Sequence, residues 1–216
     1  ECADFTSFSF HAVKNFTTAE GGGLVWRPVP GVDDEEIYHN LMLLTLHGQS
    51  KDALAKTKLG AWEYDIKGLY YKCNMTDILA AVGLVQQKRY KGLLARRKEI
   101  IERYDEWIKD DDIMTLKHFD GGNISSGHLY LVRVLPYNEE KRNSLITAMA
   151  EAGIATNVHF KPLPMHTAYK NLGFDIKDFP NSYEMYKNEI TLPLHTCLTD
   201  EQTEYIIENF NRLRKI

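Results

Sequence analysis

Ser9-Phe10-His11-Ala12-Val13-Lys14-Asn15-Phe16-Thr17-Thr18-Ala19-Glu20-Gly21-Gly22-Gly23 sets a single lysine between an aromatic run and three glycines. From Asp4 to Phe10 the aromatics Phe5, Phe8 and Phe10 stand among Thr and Ser, a pattern that predicts a short, partly buried strand. Lys14 falls just past the end of that strand, where its side chain can reach into a cleft while the backbone stays fixed. An amine held against aromatic surface loses hydration, which disfavours its charged form and leaves a usable nucleophile. That is the requirement for a Schiff base with an aldehyde. The glycine triplet reads as a turn, because no P-loop or dinucleotide fingerprint accompanies it.

Composition narrows the class. With 44% hydrophobic and 26% charged residues, the chain falls among ordinary globular proteins. A formal net charge of -4 gives no electrostatic case for a nucleic-acid or anionic-membrane partner. No apolar run approaches the ~20 residues that span a bilayer, and no signal peptide opens the chain. Cys2, Cys73 and Cys197 are odd in number and far apart, so they read as free thiols in a reducing compartment, the cytoplasm. The eight histidines show no metal-ligand spacing.

The pattern along the chain predicts an α/β organisation. Gly23 to Trp26 reads as a strand closed by Pro28 and Pro30, and 33–46 as a helix whose first turn carries Asp33, Asp34, Glu35 and Glu36. The segment 47–72 lacks periodicity and reads as a long loop with Gly48, Gly60 and Gly68. Asn74, three residues before Asp77, has the spacing of a reciprocal N-cap opening a long helix to about Ile108. The domain boundary is expected within that helix, giving domains at 1–90 and 91–216. Beyond it, 129–135 and 154–160 read as strands and Asn138 as the cap of a helix ending at Gly153. Asn181 with Glu184, and Thr199 with Gln202, have capping-box spacing.

Four segments in order carry a resemblance. Ser9 to Gly23 resembles the Schiff-base segment of the DegT/StrS family of PLP-dependent sugar aminotransferases, and Asn74 to Leu84 resembles its Asn-x-x-Asp-x-x-Ala-Ala segment. Val158 to Leu163 and Leu192 to His195 supply the third and fourth matches. The resemblance implies a fold-type-I transferase: residues 1–90 as the C-terminal part of the large PLP-binding domain, 91–216 as a small α/β domain. It implies pyridoxal 5'-phosphate as cofactor, with Lys14 as the Schiff-base lysine and proton shuttle. Ser9 is then a ligand of the cofactor phosphate, and Asn74 reaches the phosphate of the neighbouring subunit across a homodimer interface. His159 is expected on the sugar-nucleotide side of the cleft, whereas His166 and His195 have weaker claims and His11 no assigned role.

The implied activity is transamination of a nucleotide-linked keto sugar by an amino acid such as glutamate, in polysaccharide biosynthesis. A sugar dehydratase of the same family, or a remnant acting only in binding, is the alternative. Related dehydratases carry histidine in place of the lysine, so Lys14 favours transamination. The family's acidic partner of the pyridine nitrogen, its ring-stacking aromatic and its phosphate-cupping helix would all precede Glu1. The chain is accordingly expected to be the C-terminal part of a longer protein, inactive by itself.

Overall fold

The computed structural model describes residues 3–50 and 62–216, and the chain divides into two compact units, Glu1–Arg89 and Tyr90–Ile216. In the first unit, strand β1 (Phe5–Ser9) pairs antiparallel with β2 (Gly22–Trp26), setting Phe5 opposite Trp26 and Ser9 opposite Gly22. The expected strand is therefore present, but it is not partly buried: all five residues of β1 are exposed. A two-stranded ribbon has no second layer of its own to receive the Phe5 and Phe8 rings.

Helix α1 (Asp34–Thr45) starts where its acidic cluster predicts, with the Asp33 carboxylate accepting from the Glu35 N–H at 3.2 Å. Of its apolar positions Ile37 is buried, while Leu44 is exposed. Within the long loop, 51–61, Gly60 included, lie outside the described residues. Around them the chain is drawn together by isolated bridges, Leu46 with Lys72 and Gln49 with Ile66. Gly48 has φ +75°, and a Cβ there would lie 2.1 Å from the Gly68 carbonyl oxygen, so no other residue fits this crossing.

Helix α2 runs from Asp77 to Trp107, and the boundary between the units falls inside it. Its cap is Thr76, not Asn74. The Thr76 carbonyl accepts from Ala80 N–H at 2.9 Å and its hydroxyl from Leu79 N–H at 3.4 Å. Asn74 lies too far upstream, and its Oδ1 accepts from Lys72 Nζ at 2.8 Å.

The second unit is built on a three-stranded antiparallel sheet in the order β3 (Ile113–Thr115), β6 (Tyr130–Val134), β7 (Glu189–Leu192). A short hairpin, β4 (Phe119–Asp120) and β5 (Asn123–Ile124), lies between β3 and β6 in sequence. Side chains alternate across a strand, so one face of the sheet carries Val132, Val134, Ile190 and Leu192. These pack with Ile100, Ile101 and Tyr104 of α2, Leu145 and Met149 of α3 (Glu139–Glu151), and Ile206 and Phe210 of α6 (Asp200–Leu213). Each fully buried aliphatic or aromatic side chain contributes roughly 1.5–3 kcal/mol, so this face is the main apolar driving force of the unit.

Several local expectations hold here. Asn138 caps α3, accepting from Lys141 N–H, and Gly153 follows the helix with φ +75°. Thr199 and Gln202 form both bonds of the capping box, at 3.1 and 3.0 Å. Others fail for identifiable reasons. The segment 154–160 forms no strand, and its backbone pairs with the sheet only at the isolated bridge of Asn157 with Thr191; β7 holds the edge position instead. Asn181 and Glu184 form no capping box, because the helix after α4 (Thr167–Asn171), α5 (Pro180–Tyr186), begins at Pro180 and Phe179 takes the cap position.

Two histidines of this unit are expected to make its stability fall in acid. His118 is 7% exposed, stacks on Tyr130 at 5.9 Å, and leaves a buried Nε2 without a partner among the described residues. Burial lowers its pKa from the usual 6.5, the Asp105 charge opposing in part, and burial likewise lowers that of His159. Below pH 6.5 the unfolded imidazoles take up protons that the native ones refuse. Stability is therefore expected to be level above about pH 7 and to fall on acidification, by at most about 1.4 kcal/mol per pH unit per histidine. Urea unfolding from pH 8 to pH 5 measures this, and His118→Gln is expected to remove its share of the slope.

Candidate functional site

In the first unit the lysine lies on a loop pinned at both ends. Phe10 N–H donates to Gly21 O, and Thr18 N–H donates back to Phe10 O, both at 2.9 Å. A tight turn within the loop, Lys14 N–H to His11 O at 2.9 Å, projects the lysine from the strand end. Phe10 and Phe16 meet edge to face with centroids 4.9 Å apart. Lys14 is partly buried, and among the described residues its Nζ has neither a hydrogen bond nor an ion pair. An amine without a hydrogen-bond partner or counter-charge among the described residues is available to an electrophile.

The glycines matter here through close approach. Gly21 has φ +143°, and a Cβ would lie 2.8 Å from the hydroxyl oxygen of buried Thr18 and 2.7 Å from the Met75 methyl. Thr18 cannot give way easily, because its hydroxyl donates to Glu20 O at 2.7 Å. On α2, a Cβ at Gly83 would press on Thr18 at 3.1 Å. Gly21→Ala is expected to cost about 1–3 kcal/mol. The check is urea denaturation, and an unchanged midpoint would show that the loop is not held this way.

Ser9, at the end of β1, is exposed, and its Oγ accepts from His11 N–H at 3.4 Å. That bond uses a lone pair of the oxygen, so the hydroxyl hydrogen can still be donated to an acceptor such as phosphate. Asn74 is exposed, with its Oδ1 on Lys72 and its Nδ2 only 3.4 Å from Met75 O, so its amide N–H groups remain able to donate. His11 is exposed and faces Glu20 at 3.7 Å.

In the second unit, His159 lines a cavity of about 250 Å³ with Met114, Leu116, Leu131, Arg133 and Met185. This cavity opens on the sheet face opposite the apolar core. The His159 ring is joined to two buried β7 residues absent from the sequence reading. His159 Nδ1 lies 2.8 Å from Thr191 Oγ1, which donates to Glu189 Oε1 at 2.6 Å, and Glu189 Oε2 accepts the His159 backbone N–H at 2.9 Å. Burial raises the Glu189 pKa, the Thr191 and His159 donors opposing. The i, i+2 spacing of Glu189 and Thr191 was a readable signal for one strand face, had 189–192 been recognised as a strand. His166 closes its own loop, Nε2 to Lys161 O at 3.3 Å, and His195 lines a separate surface groove beside α6.

A family model described as the DegT/DnrJ/EryC1/StrS aminotransferase family matches residues 1–211. Among solved structures, a Streptococcus pneumoniae protein provisionally named a sugar aminotransferase, in its PMP form, is 58% identical. It superposes with a TM-score of 0.93 over 99% of this chain and 53% of its own. The spore coat polysaccharide biosynthesis protein SpsC of Bacillus subtilis is 38% identical over 95% of this chain and 52% of its own length. A Campylobacter jejuni UDP-4-amino-4,6-dideoxy-N-acetyl-beta-L-altrosamine transaminase is 33% identical over 99% of this chain and 54% of its own. The chain thus spans about half the length of the relatives it matches. Over that span the fold is the fold-type-I PLP-dependent transferase fold.

Proposed function

The chain belongs to the DegT/DnrJ/EryC1/StrS aminotransferase family, and from that premise we propose that it is part of a PLP-dependent aminotransferase acting on a nucleotide-linked keto sugar. The observation that carries the reading is the partly buried Lys14, its amine unpaired among the described residues, on a loop closed by the bonds among Phe10, Thr18 and Gly21. The residues present fit the cofactor: an amine for its aldehyde, and the Ser9 hydroxyl with the Asn74 amide as donors for its phosphate. When bound, PLP supplies an electron sink for removing a proton from the carbon next to the transferred nitrogen. Lys14 Nζ anchors the cofactor before substrate arrives and, once released, is the base that takes that proton and returns it one position along. Asn74 acts across a homodimer interface in this reading. The unit Glu1–Arg89 belongs to the cofactor domain and Tyr90–Ile216 is the small domain.

The names of the relatives support a sugar substrate, and the Campylobacter jejuni transaminase supports a UDP-linked one aminated at C4. The assay joins the 216 residues in frame to the part of the Streptococcus pneumoniae relative that they do not cover. L-Glutamate and a UDP-linked 4-keto-6-deoxy-N-acetylhexosamine are then supplied with PLP. Formation of amino sugar and 2-oxoglutarate in equal amounts is the expected result. Loss of water from the sugar without 2-oxoglutarate would replace this reading with a dehydratase.

A further inference from the structure

The Thr191 hydroxyl has one proton, and it is given to Glu189 Oε1. Toward His159 that oxygen can only accept, so the ring nitrogen facing it at 2.8 Å must carry the hydrogen. Both Glu189 oxygens accept, one from Thr191 and one from the His159 backbone, which fixes the carboxylate and orients the relay from both ends. Glu189 and Thr191 are 6% and 5% exposed, so water does not compete for these bonds. Arg142, 2% exposed on α3, anchors the same strand through Glu189 O at 3.2 Å.

We propose that Thr191 and Glu189 are positioning residues that hold His159 as its Nδ1–H tautomer, so that its Nε2 lone pair accepts a hydrogen bond from a neutral hydroxyl- or amide-bearing ligand in the adjoining cavity. The proposal rests on the reading of His159 as a substrate residue in one respect only, the identity of the ligand; the tautomer is a property of this chain alone. The cavity chemistry agrees with the ligand class. Its walls are largely apolar, from Met114, Leu116, Leu131 and Met185. The Arg133 guanidinium that lines it donates from Nε to Asn188 Oδ1 and from Nη2 to Glu184 O, both at 2.9 Å, and its Nη1 lies 3.8 Å from Met114 Sδ. Largely apolar walls, with the hydroxyl-bearing Thr115 and Ser182 lining the cavity beside His159, suit the face and hydroxyls of a sugar ring or its N-acyl group, and the Nε2 lone pair itself repels an anion.

The test is proton–nitrogen NMR of the 216-residue chain, labelled with 15N at histidine, at pH 8, with His159 assigned by comparison with His159→Gln. The expected pattern is a pyrrole-like Nδ1 and a pyridine-like Nε2 for His159. In Thr191→Val the relay is cut, and the tautomer ratio is expected to invert toward Nε2–H. Thr191→Ser keeps a hydroxyl in place and is expected to retain the native pattern, which separates the relay from a general packing defect. Inorganic phosphate at high concentration is expected to leave the His159 signals unmoved. A native Nε2–H tautomer, a Thr191→Val spectrum identical to the native one, or conversion of His159 to imidazolium by phosphate would each overturn the proposal. None of these readouts depends on PLP binding or turnover, so failure of the aminotransferase reading would not be confused with failure here.

Discussion

Lys14→Ala is expected to abolish the absorbance near ~410–430 nm that a protonated Schiff base gives, and to lower transamination in the joined full-length protein by about 10³-fold or more. The size follows from the two tasks assigned to one atom. Loss of a general base alone typically costs 10²–10⁴-fold, and loss of the covalent anchor adds to it. The fold should survive, because Lys14 Nζ makes no bond to lose among the described residues. Equal circular dichroism and equal urea midpoints for the two proteins check that condition. Lys14→Arg is expected to be as inactive as alanine, because guanidinium is not a nucleophile at neutral pH.

The second large effect concerns stability. Arg142 lies 2% exposed in the second unit, where its Nη1 donates to Tyr186 O at 3.0 Å and Glu189 O at 3.2 Å. Its Nε donates to Asn143 Oδ1 at 2.8 Å, and the guanidinium stacks on the Tyr186 ring at 4.6 Å. One side chain thus ties α3, the end of α5 and the start of β7. Arg142→Met keeps the volume but strands two buried carbonyls, and the cost is expected to be about 3 kcal/mol, roughly a 10 °C fall in Tm. Arg142→Lys is expected to recover little, since a point charge cannot reach both carbonyls and the ring. Thermal unfolding followed by calorimetry measures this, and a change under 1 kcal/mol would show that the guanidinium is not the tie described.

The sequence was most readable where one residue type has one physical reason to be present. Acidic residues crowding the start of α1, Asn138 ahead of α3 and the Thr199–Gln202 pair were legible because capping depends on three or four neighbouring residues. The lysine stretch was legible as a family resemblance, and its Gly21 proved necessary for close approach as well as for turning. Asn74 and Asn181 show the limit of spacing. Each had a capping pattern, and each lost the position to a neighbour, Thr76 in one case and Phe179 before Pro180 in the other. Strand β7 was missed because it is only four residues long: Glu189, Ile190, Thr191 and Leu192 do alternate in polarity, but both faces are buried, and Glu189 reads there as a surface charge. Only the bonds made by its carboxylate reveal why a charged group is placed inside. The candidate site was half legible for the same reason: His159 stands in a recognisable segment, whereas its partners lie thirty residues on.

The most direct test of the account is the location of the cofactor linkage. The joined protein is incubated with PLP, reduced with borohydride, digested, and its phosphopyridoxyl peptide identified by mass spectrometry. The account predicts the label on Lys14, in stoichiometric yield and absent from Lys14→Ala. A label spread over surface lysines, or confined to any lysine other than Lys14, would contradict it.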